Sequence, residues 1–237
     1  MGAAVMKLSI VIPIYNEKDT LEEIFRLVQA TPYDKEVIAV DDASRDGSRQ
    51  ILAGLVQKYD NVKAFYHDRN LGKGSALRTG FAQVSGDVVI IQDADLEYRP
   101  ADYPYLLEPI EQDVADVVYG TRLVGGRPHR VLFFWHYMGN RAVTTLSNMF
   151  TNLNLSDMEV GYKVFKAEVL QGLEIKSERF GVEPELTAKI AKKRWRIYEV
   201  PIQYHGRDYA EGKKITWRDG IAAVFHILRF RIGRAHV

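Results

Sequence analysis

Short apolar runs alternate with stretches of helical periodicity through the first half of the chain. The apolar runs predict buried strands at 8–14, 36–40, 62–66, 87–92 and 116–119. Apolar residues three and four positions apart predict helices at 20–30, 48–59, 75–84 and 103–111. Strands and helices that alternate in this way are joined by right-handed crossovers, which predicts an α/β fold with a mostly parallel central sheet.

The second half has a less regular pattern. Residues 122–130 are glycine-rich and basic, as loops often are, and residues 207–214 are polar. The predicted elements here are a helix at 131–150, a strand at 160–165, a helix at 184–193, a strand at 196–200 and an amphipathic helix at 217–230. No internal repeat or linker interrupts the 237 residues. The sequence therefore predicts one domain, 1–237, that closes with an amphipathic C-terminal segment at 216–237.

Composition narrows the functional classes. Hydrophobic residues make up 46% and charged residues 27% of the chain, which is ordinary for a globular domain. The net charge of +1 gives no reason to expect nucleic acid as a partner. The chain has no cysteine, which excludes disulfides, thiolate metal sites and cysteine nucleophiles and suits a reducing compartment. We expect no signal peptide and no spanning helix, because no apolar run approaches the roughly 20 residues that a bilayer requires.

Polar side chains follow three of the predicted strands at the point where each strand ends. They are Tyr15 and Glu17 after the first strand, Asp41 and Asp42 after the second, and Asp93 and Asp95 after the fourth. Ligands of open α/β sheets bind beyond the carboxyl ends of the strands. Three acidic clusters at this edge therefore predict a common binding site.

The segment Asp93-Ala94-Asp95 has the chemistry of a cation site. Two carboxylates can hold a hard cation such as Mg²⁺ or Mn²⁺, and such an ion can bridge them to a diphosphate. Glu97 is near enough in sequence to join these ligands. The alternative is a helix N-cap, where aspartate is common for structural reasons.

Three further segments suit a nucleotide ligand. After Pro13, Tyr15 can flank a base, and Glu17 can accept a hydrogen bond from a base or ribose. Asp41 or Asp42 can do the same; the alternative is an Asx-turn with Asp46 or Ser48 capping the helix, and we expect that structural role for Asp46. The segment 70–75, NLGKGS, resembles a phosphate-binding loop but lacks the Walker spacing, so Lys73 is either a phosphate ligand or part of a helix-start turn.

Taken together, the segments 12–17, 40–48, 70–75 and 93–95 resemble the inverting family-2 glycosyltransferases, which have a GT-A nucleotide-binding fold of Rossmann-like type. The segments 120–122 (GTR), 156–163 (SDMEVGYK) and 180–185 (FGVEPE) resemble the polyprenyl-phosphate branch of that family. This branch includes dolichol-phosphate mannose synthases. The segment 204–217 fits the same branch, and the resemblance extends over roughly 7–232.

The resemblance implies an activity and a set of site residues. A hexose would pass, with inversion, from GDP-mannose or a UDP-hexose to a polyprenyl phosphate, dolichyl or undecaprenyl. It implies a nucleotide-binding half at 7–120 and an acceptor and sugar half at 121–215. The implied catalytic residues are Asp95, Asp157 and Arg141; the metal ligands are Asp93, Asp95 and Glu97; the acceptor-phosphate ligands are Arg122 and Arg141. The implied donor-binding residues are Pro13, Tyr15, Glu17, Asp41, Asp42, Lys73, Asp93, Ala94, Arg122, Glu183, Arg207, Lys213 and Lys214.

A lipid acceptor also predicts a place in the cell. The apolar stripe of the C-terminal segment is bordered by arginines, as in helices that lie on anionic membranes. The aromatic residues at 133–137 are a second candidate for lipid contact. Core packing is the alternative for both. Many members of the branch carry membrane-spanning helices after the position of Ile232, whereas this sequence resembles the type with a soluble catalytic domain. We expect a peripheral protein on the cytoplasmic face of the membrane, with or without a membrane-anchoring partner.

Two other functions fit the same residues. A family-2 transferase that acts on a saccharide or protein hydroxyl would need a general base, for which Asp157 or Glu183 are the candidates. A non-catalytic nucleotide-sugar-binding subunit is the other possibility, although the intact pair Asp93 and Asp95 speaks against it.

Overall fold

Seven strands form one sheet in the described part of the chain. The computed structural model describes residues 6–125, 130–131, 133–178, 181–207 and 227. The strands are β1 Leu8–Ile14, β2 Lys35–Asp41, β3 Val62–Tyr66, β4 Val88–Ile91, β5 Val117–Thr121, β6 Lys163–Lys166 and β7 Ile197–Pro201. The helices are α1 Leu21–Gln29, α2 Ser48–Lys58, α3 Lys73–Phe81, α4 Tyr103–Glu111, α5 Phe134–Thr151, α6 Ala167–Leu170 and α7 Val182–Lys192, with a 3₁₀ turn at Pro100–Asp102.

The order of the strands across the sheet is β3-β2-β1-β4-β6-β5-β7. β1 pairs in parallel with β2 and β4, β2 with β3, and β5 with β7. β6 is antiparallel to both of its neighbours, β4 and β5. The predicted α/β class with a mostly parallel sheet is therefore confirmed.

The core forms because both faces of the sheet are covered. All residues of β1 except Pro13 are buried, which explains its unbroken apolar run. On α1, Leu21, Ile24, Phe25 and Val28 are completely buried. Their spacing of three and four residues gives that helix a single apolar face against the sheet.

The structure differs from the predicted pattern around β6. The strand was expected at 160–165 but spans Lys163–Lys166. Val160 and Gly161 lie outside the strand: the Val160 carbonyl accepts a hydrogen bond from the Lys163 ammonium, and the Gly161 amide donates to the Tyr98 hydroxyl. The backbone of these two residues thus bonds to the side chains of Lys163 and Tyr98 instead of to a neighbouring strand.

The predicted C-terminal amphipathic segment 216–237 lies outside the described residues except for Ile227, which is buried. Across the ranges that the structure describes, no helix combines the length and the apolarity needed to cross a membrane.

Candidate active site

Lys73 joins two acidic elements at the carboxyl edge of the sheet. Its ammonium, at the start of α3, lies 2.9 Å from Asp93 Oδ1 and 3.2 Å from Glu183 Oε1 at the start of α7. Burial opposes the charge on Lys73, but the two carboxylates together raise its pKa above the usual value. Lys73 is therefore a fixed cation beside the first aspartate of the predicted cation site.

Arg207 makes a second bridge, between the loops that follow β1 and β4. Its Nη1 lies 3.1 Å from Glu17 Oε2, and its Nη2 lies 3.1 Å from Asp95 Oδ2. Its backbone amide donates to Glu97 Oε1 over 2.9 Å, and the Tyr204 hydroxyl donates to Glu97 Oε2 over 3.0 Å. Residues more than 100 positions apart thus form one charged cluster.

Ionisation of Asp95 is opposed by burial and by the other carboxylates of this cluster. Burial first, and then repulsion by Asp93 and Glu97, raise the pKa of Asp95 to about 7. The next residue, Leu96, has a φ of 63°, a left-handed conformation that is costly for a branched side chain. The chain therefore holds several carboxylates together against their repulsion, an arrangement that a multivalent cation stabilises.

Glu97 is the third metal ligand that the resemblance implies, and this role stays a prediction. Among the described residues, no three His, Cys, Asp or Glu side chains converge as ligands of one ion. Both oxygens of Glu97 already accept hydrogen bonds, from Arg207 and Tyr204. Glu97 therefore anchors the segment around Tyr204, just as Asp93 and Asp95 contact Lys73 and Arg207, and all three carboxylates remain candidate ligands.

Arg122 and Asp157 form a buried ion pair on the other side of the site. Arg122 Nε lies 2.6 Å from Asp157 Oδ2, and Nη2 lies 2.7 Å from Oδ1. Asn140 of α5 donates to the same Oδ1 over 2.9 Å. Burial opposes ionisation, but Arg122 and Asn140 together lower the pKa of Asp157. Asp157 is thus a carboxylate whose two oxygens both accept hydrogen bonds, and its role as a positioning group or as a general base stays a prediction.

Gly161 connects the two sides. A Cβ atom on Gly161 would lie 2.2 Å from Asp93 Oδ2 and 2.9 Å from the Tyr98 ring, which is closer than atoms can approach. Only glycine therefore permits the segment 156–161 to pass this close to Asp93. The segment runs from the ion pair of Asp157 to the first candidate metal ligand.

Glu159 lies in the middle of this segment and was not among the predicted site residues. Its Oε1 atom is shielded from solvent and has no hydrogen-bond partner among the described residues. Burial first, and then Glu183, raise the pKa of Glu159 to about 8. One sequence signal was available, a carboxylate between the apolar residues Met158 and Val160.

Asp41 and Asp42 are buried by contacts with α2 and with the segment between β3 and α3. Asp41 accepts a hydrogen bond from Arg49 Nε over 2.9 Å. Asp42 Oδ1 lies 2.7 Å from His67 Nδ1, and Oδ2 accepts the Gly72 amide over 2.7 Å. Both aspartates thus shape the loops around the site, and direct contact with a base or ribose stays a prediction.

The remaining predicted residues occupy different environments. Tyr15 is 39% exposed beside the site, Pro13 is half-buried in β1, and Ala94 is buried between the two aspartates. Arg141 is exposed on α5, with its guanidinium 5.8 Å from the centre of the Tyr137 ring. Lys213 and Lys214 lie outside the described residues.

Comparisons with known proteins identify the family of this chain. Residues 9–173 match the model of glycosyl transferase family 2. The chain is 31% identical over 214 residues to the dolichol-phosphate mannosyltransferase of Pyrococcus furiosus, a match that covers 88% of this chain and 59% of that protein. It is 31% identical over 252 residues to the undecaprenyl-phosphate mannosyltransferase of Micrococcus luteus, covering 96% of this chain and 100% of that protein.

The fold also has solved counterparts. Glucosyl-3-phosphoglycerate synthase from Mycobacterium tuberculosis, crystallised with Mn²⁺, uridine diphosphate and phosphoglyceric acid, superposes with a TM-score of 0.72. That match covers 98% of this chain and 80% of that chain at 20% identity, so it speaks for the fold alone. It confirms the predicted single α/β domain of GT-A type. The family model matches more than half of this chain, and the relative from Micrococcus luteus, which is matched over its whole length, is 31% identical. This chain therefore belongs to glycosyl transferase family 2.

Proposed function

We propose that the protein transfers a hexose from a nucleotide sugar to the phosphate of a polyprenyl lipid, with inversion at the anomeric carbon. The relatives named for dolichol phosphate and undecaprenyl phosphate support this choice of acceptor. The observation that carries the proposal is the geometry at one sheet edge. There, Asp93 and Asp95 contact Lys73 and Arg207. The segment 157–161 connects this cluster to the ion pair of Arg122 and Asp157.

The carboxylates suit a divalent cation, which the Mn²⁺ in the related crystal structure supports. Asp93 and Asp95 would hold Mg²⁺ or Mn²⁺, and their mutual repulsion, which raises the pKa of Asp95, is the kind of charge that such an ion offsets. When bound, the ion neutralises the donor diphosphate as the nucleotide leaves. The residues present therefore fit the metal.

Two cations of the chain itself would act on the same diphosphate. Lys73 is held in place by Asp93 and Glu183, and Arg207 by Glu17 and Asp95. Fixed charges that need no rearrangement are the most effective electrostatic catalysts. We assign both to donor binding; Lys213 and Lys214 remain predictions for the same role.

Transfer to a lipid phosphate depends more on the position of the attacking oxygen than on removal of a proton from it. A lipid phosphate is ionised at neutral pH, so the attacking oxygen requires no strong general base. Asp157 fits this requirement, because its oxygens hold Arg122 rather than a substrate proton. We propose that Asp157 positions Arg122, and that Arg122 and Arg141 face the acceptor phosphate, since arginine pairs well with phosphate oxygens.

The start of α5 offers a surface for the lipid. Phe133, Phe134 and Trp135 are 51%, 63% and 78% exposed. Large exposed aromatic side chains that cluster together mark binding surfaces, and aromatic residues favour the membrane interface. Arg141 lies farther along the same helix. This arrangement supports a peripheral location on the cytoplasmic face of the membrane, with or without an anchoring partner.

An assay with labelled donors tests the proposal. GDP-mannose and UDP-glucose, each labelled in the sugar, are incubated with the protein, Mn²⁺ or Mg²⁺, and vesicles that contain undecaprenyl phosphate. We expect label in the organic-extractable fraction, an Asp95→Asn variant that is folded but slower by about a thousandfold, and an Arg141→Ala variant with a raised KM for the lipid. Arg26→Ala is the matched control, because Arg26 is an exposed helical arginine paired only locally, with Glu23. Label that enters water-soluble glycans and never the lipid would refute the acceptor.

A further inference from the structure

Glu159 has a buried carboxyl oxygen that forms no hydrogen bond with the described residues. The residue is half-buried, but its Oε1 atom is completely shielded and has no hydrogen-bond partner in the described part of the chain. Other buried carboxylates are satisfied: Asp157 holds Arg122, and Glu185 accepts the amides of Lys176 and Ser177. Buried polar atoms without a partner are rare in folded proteins and call for an explanation.

The nearest buried ammonium is committed elsewhere. Lys163 donates its Nζ protons to the carbonyl oxygens of Met158 and Val160, the two neighbours of Glu159, and lies 4.8 Å from the centre of the Tyr119 ring. Lys163 therefore clamps the backbone on both sides of Glu159 without pairing with its Oε1 atom. The contacts of Lys163 fix the segment while leaving this carboxyl oxygen without a hydrogen-bond partner among the described residues.

The position of Glu159 relates it to both substrates. Two residues before it, Asp157 holds Arg122 on the acceptor side; two residues after it, Gly161 packs against Asp93 on the donor side. Glu183, which binds Lys73, is near enough to act electrostatically on Glu159. In a transfer between two phosphates the sugar ring lies between them, and Glu159 stands midway along the segment that joins their binding groups.

We propose that Glu159 is a specificity-determining residue, whose carboxyl group hydrogen-bonds a hydroxyl of the transferred hexose. This inference rests on the proposed function. A sugar hydroxyl both donates and accepts hydrogen bonds, and it would give Oε1 the partner that the protein does not provide. A donor without that hydroxyl would leave a buried polar atom unpaired, and sites built in this way discriminate strongly against such analogues.

Monodeoxy donors test this assignment. The kcat/KM values of the wild type, Glu159→Gln and Glu159→Leu are measured with GDP-mannose, UDP-glucose and the 2-, 3-, 4- and 6-deoxy analogues of whichever donor is used. We expect one analogue to be poorer than its parent by at least about tenfold with the wild type. With Glu159→Leu the parent should lose a similar factor, and that analogue should lose nothing further. Glu159→Gln, which retains hydrogen-bonding groups, should fall between them.

Controls separate specificity from folding. Affinity for GDP or UDP alone should be equal in all variants, and Glu168→Leu, at an exposed position on α6, should match the wild type. Equal losses of Glu159→Leu with every donor, or no loss at all, would overturn the assignment while leaving the proposed function intact. A wild type that turns over neither parent donor would instead contradict the proposed function, and this inference with it.

Discussion

Replacing Glu159 by glutamine is expected to stabilise the ligand-free protein at neutral pH. The ordinary pKa of this carboxyl group is 4.5, and burial and the neighbouring Glu183 raise it to about 8 in the fold. At pH 7 the unfolded chain therefore carries an ionised Glu159 and the folded chain a protonated one. Each pKa unit between 4.5 and pH 7 contributes about 1.4 kcal/mol, so folding is penalised by about 3 kcal/mol.

The sign of the pH dependence follows from proton binding. With a raised carboxyl pKa the folded state binds more protons, so the penalty is absent below pH 4.5 and grows as the pH rises toward 8. Lys163 contributes in a different range. Burial lowers its pKa from 10.5 to about 8, so its cost is constant below pH 8 and declines between pH 8 and 10.5. Measurements between pH 4.5 and 7.5 therefore isolate the effect of Glu159.

The assay is urea unfolding followed by circular dichroism at pH 5, 6, 7 and 7.5. Glu159→Gln should match the wild type near pH 5 and exceed it by about 3 kcal/mol at pH 7, because glutamine resembles the protonated acid at every pH. Glu168→Gln, at an exposed position, should follow the wild-type curve. Equal unfolding free energies of Glu159→Gln and the wild type throughout this range would show that the carboxyl group is paired or solvated.

Three further substitutions probe the rest of the site. Lys73→Met removes the cation that contacts Asp93 and should reduce kcat by about a hundredfold at saturating donor; unchanged kcat would exclude an electrostatic role. Gly161→Ala places a Cβ atom 2.2 Å from Asp93 Oδ2, so we expect at least about a tenfold loss of kcat/KM from the displaced carboxylate, and normal kinetics would mean that the segment moves aside freely. Asp157→Asn leaves the buried charge of Arg122 without a counter-ion and should lower the free energy of unfolding by about 3–5 kcal/mol, whereas a loss below about 1 kcal/mol would mean that Arg122 finds another partner or water.

The parts of the fold that local patterns determine were predictable. The run at 8–14 is β1 to the residue, because a strand covered on both faces is mostly apolar, here with Ser9 as the one polar residue. The positions of Asp93, Asp95, Lys73 and Glu183 followed from strand ends and from the family resemblance. Their pairing did not, since Lys73 meets Glu183 only after the chain has crossed most of the sheet.

The roles of other residues depend on tertiary contacts that a sequence pattern does not contain. Glu97 lies two residues from Asp95, yet its partner Tyr204 is 107 positions away. Asp42 follows a strand like a ligand-binding residue, but it accepts the amides of Leu71 and Gly72, about 30 positions on, and so holds the loop before α3. Glu159 was missed because its distinguishing feature is a buried oxygen without a hydrogen-bond partner among the described residues, and a sequence does not show which atoms lack partners.

The reversed direction of β6 has a further consequence for how this enzyme can change. In a purely parallel sheet only the loops that leave strands reach the ligand edge, and each must lead into a crossover helix. Because β6 runs against β4 and β5, the loop that enters it also reaches this edge. That incoming loop starts no crossover helix, so its residues can be devoted to the site, as Asp157 and Gly161 are.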